Sequence, residues 1–179
     1  MSDQAPKPAW WRPGRHWIPH WSTWLILLVA AYFWWRPLAW VSDPMTPAPA
    51  ISAQLLDGRT FDLNQHRGQV VLINVWAPWC PPCRREMPAM AEYYQANQDR
   101  PFTILALADD EEAAVRDFVR KQGIPFPVGL TRQASGLAAL GDISRIPTSF
   151  IIDKQGRVVH RITGPLHPGR LHSLIDPLL

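Results

Sequence analysis

Apolar residues along this chain gather into runs of two kinds, set apart by proline, glycine and acidic breaks. "QVVLINVW" (69–76) and "FTILALA" (102–108) are nearly continuous and rich in branched side chains, the pattern of strands buried on both faces. "ISAQLLDGRTFDL" holds two short alternating runs about an Asp57–Gly58 turn and predicts a hairpin. "REMPAMAEYYQAN" repeats Met87, Met90, Ala91 and Tyr94 at helical spacing, and Pro88 inside it predicts a kink. "DDEEAAVRDFVRKQG" opens on acids, closes on bases and stops at Gly123, so a helix is expected there. "FPVGL" reads as a short strand and "ASGLAALGD" as a short helix. "TSFIIDKQGRVVHRITG" reads as two strands around a Lys154–Gly156 turn, and "HPGRLHSLIDPLL" as a closing helix. Strands that alternate with helices and end in a hairpin and a helix imply an α/β fold. Its expected form is a central mixed sheet flanked by helices, with an amino-terminal β-hairpin extension, over residues 51–179.

The first forty residues follow a different rule. Twenty positions between Arg15 and Arg36 carry no Lys, Arg, Asp or Glu, and eight of the ten tryptophans lie before residue 41. A helix of twenty residues matches the thickness of a bilayer core, and indole rings favour the headgroup level at either end. Residues 21–40 are therefore expected to form one transmembrane anchor. Lys7, Arg12 and Arg15 precede it and only Arg36 follows closely. The positive-inside bias then gives a cytoplasmic segment over 1–20 and a carboxy-terminal domain in the periplasm or outside the cell. Competing readings are a cleaved secretory signal ending near Ala31 and an apolar helix buried in the domain. Residues 41–50, "VSDPMTPAPA", have no hydrophobic period and read as a proline-stiffened linker.

Charge adds one exclusion. The net charge of +3 is spread along the chain: residues 1–44 hold four Lys/Arg and two Asp/Glu, and 45–179 hold fourteen and thirteen. No basic cluster of the kind that binds nucleic acid is present in the sequence, so no nucleic-acid partner is expected.

The chemistry-bearing stretch is "NVWAPWCPPCRREMP" (74–88), with the only two cysteines, Cys80 and Cys83. They follow a predicted buried strand and open a predicted helix, where the helix dipole and free N–H groups favour a thiolate. Cys80 is the expected outer, attacking sulfur, with Cys83 one turn inward. A disulfide between them would close too small a loop to restrain the unfolded chain much, so chemistry explains the pair better than stapling. Zinc would want further Cys or His ligands, and haem attachment would want His where Arg84 stands. Copper(I) on two thiolates stays open beside redox exchange. Trp79 offers apolar contact beside Cys80, Trp76 reads foremost as core, and Arg84 and Arg85 either favour a thiolate or line an exposed helix face.

"VVLINVWAPWCPPCRREMP" followed some sixty residues later by "RIPTSFIID" strongly resembles the thioredoxin superfamily. Its membrane-anchored bacterial branch of TlpA-like and ResA-like thiol–disulfide oxidoreductases, which includes cytochrome c maturation reductases, is the most similar group. The resemblance covers residues 51–179 and implies a thioredoxin-like fold. It also implies a redox-active Cys80–Cys83 disulfide, with Cys80 as nucleophile and Cys83 as resolving thiol. By the same resemblance Pro147 is the cis-proline beside the disulfide, and the backbone of Ile146 pairs with a substrate strand. Pro81 and Pro82 fill the space between the cysteines and remove two N–H donors that would otherwise stabilise a thiolate, which favours a reductase.

Two departures from the family pattern matter. Asn74 stands where classical thioredoxins carry a buried acid, so a proton acceptor for Cys83 must come from water or from Glu86. Glu86 lies one turn beyond Cys83, although a solvated helix position is its plainer reading. Thr148 follows the proline where cytochrome c maturation reductases place Glu, which points to a less specialised reductase. The expectation is a membrane-tethered disulfide reductase needing neither metal nor cofactor. Its partners would be disulfide-containing exported proteins and a transmembrane electron donor of the thiol–disulfide type. A disulfide oxidase or isomerase and a Cu(I)-binding chaperone are the alternatives.

Overall fold

The computed structural model describes Trp21, residues 24–28 and residues 46–179. In the amino-terminal unit the described residues are helical and exposed to the surroundings. Among the described residues no helix is long and apolar enough to cross a membrane. The anchor expected at 21–40 and its flanks fall largely outside them.

The carboxy-terminal unit is built on one eight-stranded sheet. Its strands are β1 (Thr46–Pro47), β2 (Ser52–Leu55), β3 (Thr60–Asp62), β4 (Val70–Trp76), β5 (Phe102–Ala108), β6 (Val128–Ser135), β7 (Thr148–Ile152) and β8 (Arg157–Thr163). Three helices join them: α1 (Pro81–Ala96), α2 (Glu112–Gln122) and α3 (Pro168–Ile175). Across the sheet the order is β1-β8-β7-β4-β5-β6-β2-β3. β4 runs parallel to β5, and β5 to β6, whereas β7 lies antiparallel on the other side of β4. The sheet is therefore mixed, with β4 and β5 at its centre. Both are buried along their whole length, which is why neither sequence alternates polar with apolar residues.

Alternation still decides which layer each side chain enters. Val70, Leu72, Trp76, Ile104 and Ala106 pack with Met87, Met90 and Tyr93 of α1 and with Val115, Leu171 and Ile175 from the other helices. Val71, Ile73, Leu105 and Leu107 enter the opposite layer with Ile51, Phe61 and Leu63 of the hairpin segment. The helices thus share one face, and the hairpin with its flanking turns covers the other.

Some elements differ from the sequence expectation. The segment read as a linker over 41–50 contains β1, which pairs with β8 through Thr46↔Val158 and Pro47↔Arg157. Proline is tolerated at that place because an edge strand needs donors on one side only. Helix α1 continues through Pro88, and Tyr93 enters the core more deeply than Tyr94. The strand in "FPVGL" extends to Ser135 because β2 pairs with its far end at Ala53↔Ala134. "ASGLAALGD" contains only a 3-10 turn, Leu137–Leu140, bounded by Gly136 and Gly141.

Candidate active site

β4 ends at Trp76, and the chain turns through Ala77–Trp79 before α1 begins. The turn is closed by the Cys80 N–H donating to the Ala77 carbonyl at 3.1 Å. Cys80 is the N-cap of α1, with extended backbone, and Pro81 and Pro82 fill the first helical positions. Proline suits that turn because its missing N–H would have had no partner inside the helix. Cys80 and Cys83 form a disulfide. The Cys83 N–H donates to Cys80 Sγ at 3.4 Å. With the next two residues both prolines, this is the N–H that the helix start directs at the sulfur.

Neither sulfur is freely exposed. Cys80 retains 3% of its surface and Cys83 none. Beside them Trp79 is 65% exposed and is the exposed large apolar side chain among residues 46–179. Trp76, by contrast, is fully buried in the core against Phe118, with ring centroids 5.0 Å apart.

The segment before β7 forms the opposite wall. The Ile146–Pro147 peptide bond is cis, and the Ile146 carbonyl oxygen lies 3.9 Å from Cys80 Sγ. Thr148 is buried, and its hydroxyl donates to the Arg145 carbonyl at 2.6 Å, closing the turn that presents Ile146. β7 then docks on β4 through Val75↔Thr148 and Asn74↔Ser149, which ties this wall to the strand feeding the cysteines.

Glu86 requires a correction: it is not a solvated helix residue but only 2% exposed. It shares the buried stripe of α1 with Cys83, Met87, Met90 and Tyr93. Asn74 Nδ2 donates to Glu86 Oε1 at 2.9 Å and to Ser149 Oγ at 3.0 Å. The Leu166 N–H donates to Glu86 Oε2 at 2.7 Å. Burial pushes the Glu86 carboxyl up to about 7, against the opposing pull of the Leu166 and Asn74 donors. Ser149 and Leu166 are the functional neighbours that the sequence did not single out. A signal for Glu86 was present, since positions 83, 86, 87 and 90 form an i, i+3, i+4, i+7 set whose other members are apolar.

The two arginines after Cys83 are exposed on the helix surface. Arg84 lies over the Phe118 ring at 6.0 Å from its centroid. The structure thus brings Cys80, Cys83, Trp79, Pro81, Pro82, Ile146 and Pro147 around one disulfide. Glu86 sits one turn deeper, in a separate hydrogen-bonded group. A sulfur pair capping a helix, its outer member slightly exposed and facing a backbone carbonyl, with an exposed tryptophan next to it in sequence, is equipped to exchange disulfides with an extended polypeptide.

Comparison with known proteins agrees. Residues 44–176 match the family model described as Redoxin. The thiol-disulfide oxidoreductase ResA of Bacillus thuringiensis (strain Al Hakam) is 38% identical over 118 residues, covering 65% of this chain and 68% of that protein. The ResA of Bacillus subtilis (strain 168) is 32% identical over 130 residues, covering 72% of each. Among solved structures, a thiol:disulfide interchange protein of the thioredoxin family from Chlorobium tepidum TLS superposes with a TM-score of 0.68. It is 32% identical, and the match covers 75% of this chain and 96% of that one.

Proposed function

This chain belongs to the Redoxin family, as a ResA-like thiol–disulfide oxidoreductase of the thioredoxin superfamily, and from that premise we propose that it reduces disulfides in exported proteins. The observation that carries the reading is the Cys80–Cys83 disulfide at the start of α1, with Cys80 keeping a 3% sliver of exposure and Cys83 none.

In the reduced enzyme the Cys80 thiolate attacks one sulfur of a substrate disulfide. The substrate S–S bond breaks, an intermolecular S–S bond forms, and the departing substrate thiolate takes a proton. Cys83 then loses its proton and attacks Cys80 Sγ, which forms the Cys80–Cys83 bond and releases the second substrate thiol. Two electrons and two protons have passed to the substrate. An electron donor with its own dithiol restores Cys80 and Cys83 by the same exchange in reverse.

Glu86 is the proton acceptor for Cys83 in this reading. It sits one helical turn further on, with a carboxyl that titrates at about 7, close to the working pH of an efficient general base. Ile146 offers its backbone to an extended substrate segment, and Trp79 packs against that segment. Direction follows from the helix start. Pro81 and Pro82 leave the Cys83 N–H as the local donor to Cys80 Sγ. A sparsely stabilised thiolate belongs to a less oxidising couple, hence to a reductase.

The same reading puts the anchor at residues 21–40 in the cytoplasmic membrane and the Redoxin domain in the periplasm, or outside the cell. There ordinary dithiols become oxidised, and electrons must be delivered through a transmembrane thiol–disulfide partner. The test is a trap. Full-length Cys83→Ala protein should accumulate mixed disulfides on Cys80 that a reductant releases. A yield equal to that of the Cys80→Ala, Cys83→Ala double variant would remove the enzymatic reading.

A further inference from the structure

Beside the disulfide a groove of about 340 Å³ is lined by Pro81, Arg84, Arg85, Phe118 and Gln122. Its near wall starts at the residue bonded to Cys80. Arg84 stands one turn above that cysteine, its N–H donating to the Cys80 carbonyl at 3.1 Å. Pro81, Arg84 and Arg85 share one face of α1 through i, i+3 and i+4 spacing, and α2 contributes Phe118 and Gln122 opposite them.

The charge of this groove is uncompensated. Among the described residues the guanidinium groups of Arg84 and Arg85 make no ion pair and no hydrogen bond. Arg145, exposed on the other border of the disulfide next to Ile146, also has no such partner among them. On α2, across the groove, the exposed arginines find acids: Arg116 pairs with Glu112 at 2.7 Å and Arg120 with Asp117 at 2.6 Å, whereas Arg170 on α3 is unpaired like Arg84 but lies outside the groove. Two unpaired guanidinium groups lining one groove favour an anion there, and a planar carboxylate fits the forked donors of a guanidinium. The Phe118 ring supplies apolar contact for the methylenes of the same side chain.

Resting on the reductase reading above, we infer that this groove receives an Asp or Glu side chain flanking the target disulfide. The enzyme thereby selects exported substrates whose cysteines lie in acidic segments. Arg145 favours the same sign of charge from the opposite side of the cysteines.

The test uses the reduced full-length chain in neutral detergent. Three peptides share one internal disulfide and differ only in flanking residues: acidic, amide-bearing or lysine-bearing. Each rate is divided by that of the same peptide with dithiothreitol, which removes differences intrinsic to the peptide. At low salt the acidic peptide should be reduced about three- to tenfold faster than the amide peptide, the range for two partly exposed ion pairs. The ratio should fall towards one at about 0.5 M salt. Arg84→Gln should lower the ratio, Arg84→Glu should turn the preference towards the lysine peptide, and Arg170→Gln on α3, far along the chain, should leave it in place. Equal normalised rates for the acidic and amide peptides, or a ratio unmoved by both Arg84 variants, would overturn the inference and leave the reductase reading standing. Reduction of none of the peptides by the enzyme, when dithiothreitol reduces them all, would remove the reductase reading itself.

Discussion

Glu86 is an acid whose neighbours are one amide, one backbone N–H and otherwise core. Its carboxyl titrates at about 7 in the folded chain against an ordinary value of 4.5, so between those values the folded protein holds a proton that the unfolded chain has lost. Stability is therefore fully present below about pH 4.5 and falls as pH rises through about 7, by on the order of 3 kcal/mol in all. Denaturant unfolding of the oxidised protein across that window should show the slope, and Glu86→Gln should flatten it while raising stability at neutral pH. The same variant should slow release of substrate from the mixed disulfide by about a hundredfold, with formation of the mixed disulfide little changed; rapid-quench trapping separates the two steps. Asn74→Ala removes one of the two donors to the carboxylate, so the pH profile of that release step should move upward by about one unit. This group was hard to read from the sequence because a glutamate after two arginines looks solvated. The groups that complete its surroundings are far off in sequence: Leu166, eighty positions on, donates to it from the segment after β8, and Ser149 on β7 accepts from the same Asn74 amide through the pairing of β7 with β4.

At the level of elements, the strands and helices with a strong period were legible. The central pair β4 and β5 and the charge-punctuated α2 announce themselves by composition, and α2 ends where Gly123 adopts φ 62°. Elements that exist only through a partner were not. β1 is two residues of a proline-rich stretch that become a strand because β8 offers an edge, and the outer half of β6 is extended because β2 lies against it. Gly136 shows how tightly such a junction is made. It has φ 77°, and a Cβ there would stand 2.0 Å from the Ala50 carbonyl oxygen. Gly136→Ala should cost at least about 2 kcal/mol, read as a lowered denaturation midpoint at unchanged slope. Exchange rates measured on small disulfides should stay close to those of the parent, because the loop lies on the hairpin side of the sheet.

For the whole molecule, the disulfide sits where the parallel and antiparallel halves of the sheet meet, at the carboxyl end of β4, with the turn before β7 opposite. If the proposed anchor holds, a reporter enzyme that is active only after export should be active when fused after Leu179 and inactive when fused before residue 15; the reverse pattern would place the Redoxin domain in the cytoplasm. Cys83 is sealed and Cys80 exposes only 3% of its surface, so both the reagent that recharges the enzyme and the protein it discharges onto must use a single doorway. The two visitors exclude each other and turnover is a shuttle. Steady-state data taken at several donor concentrations should give parallel double-reciprocal lines, and excess oxidised donor should compete with the substrate.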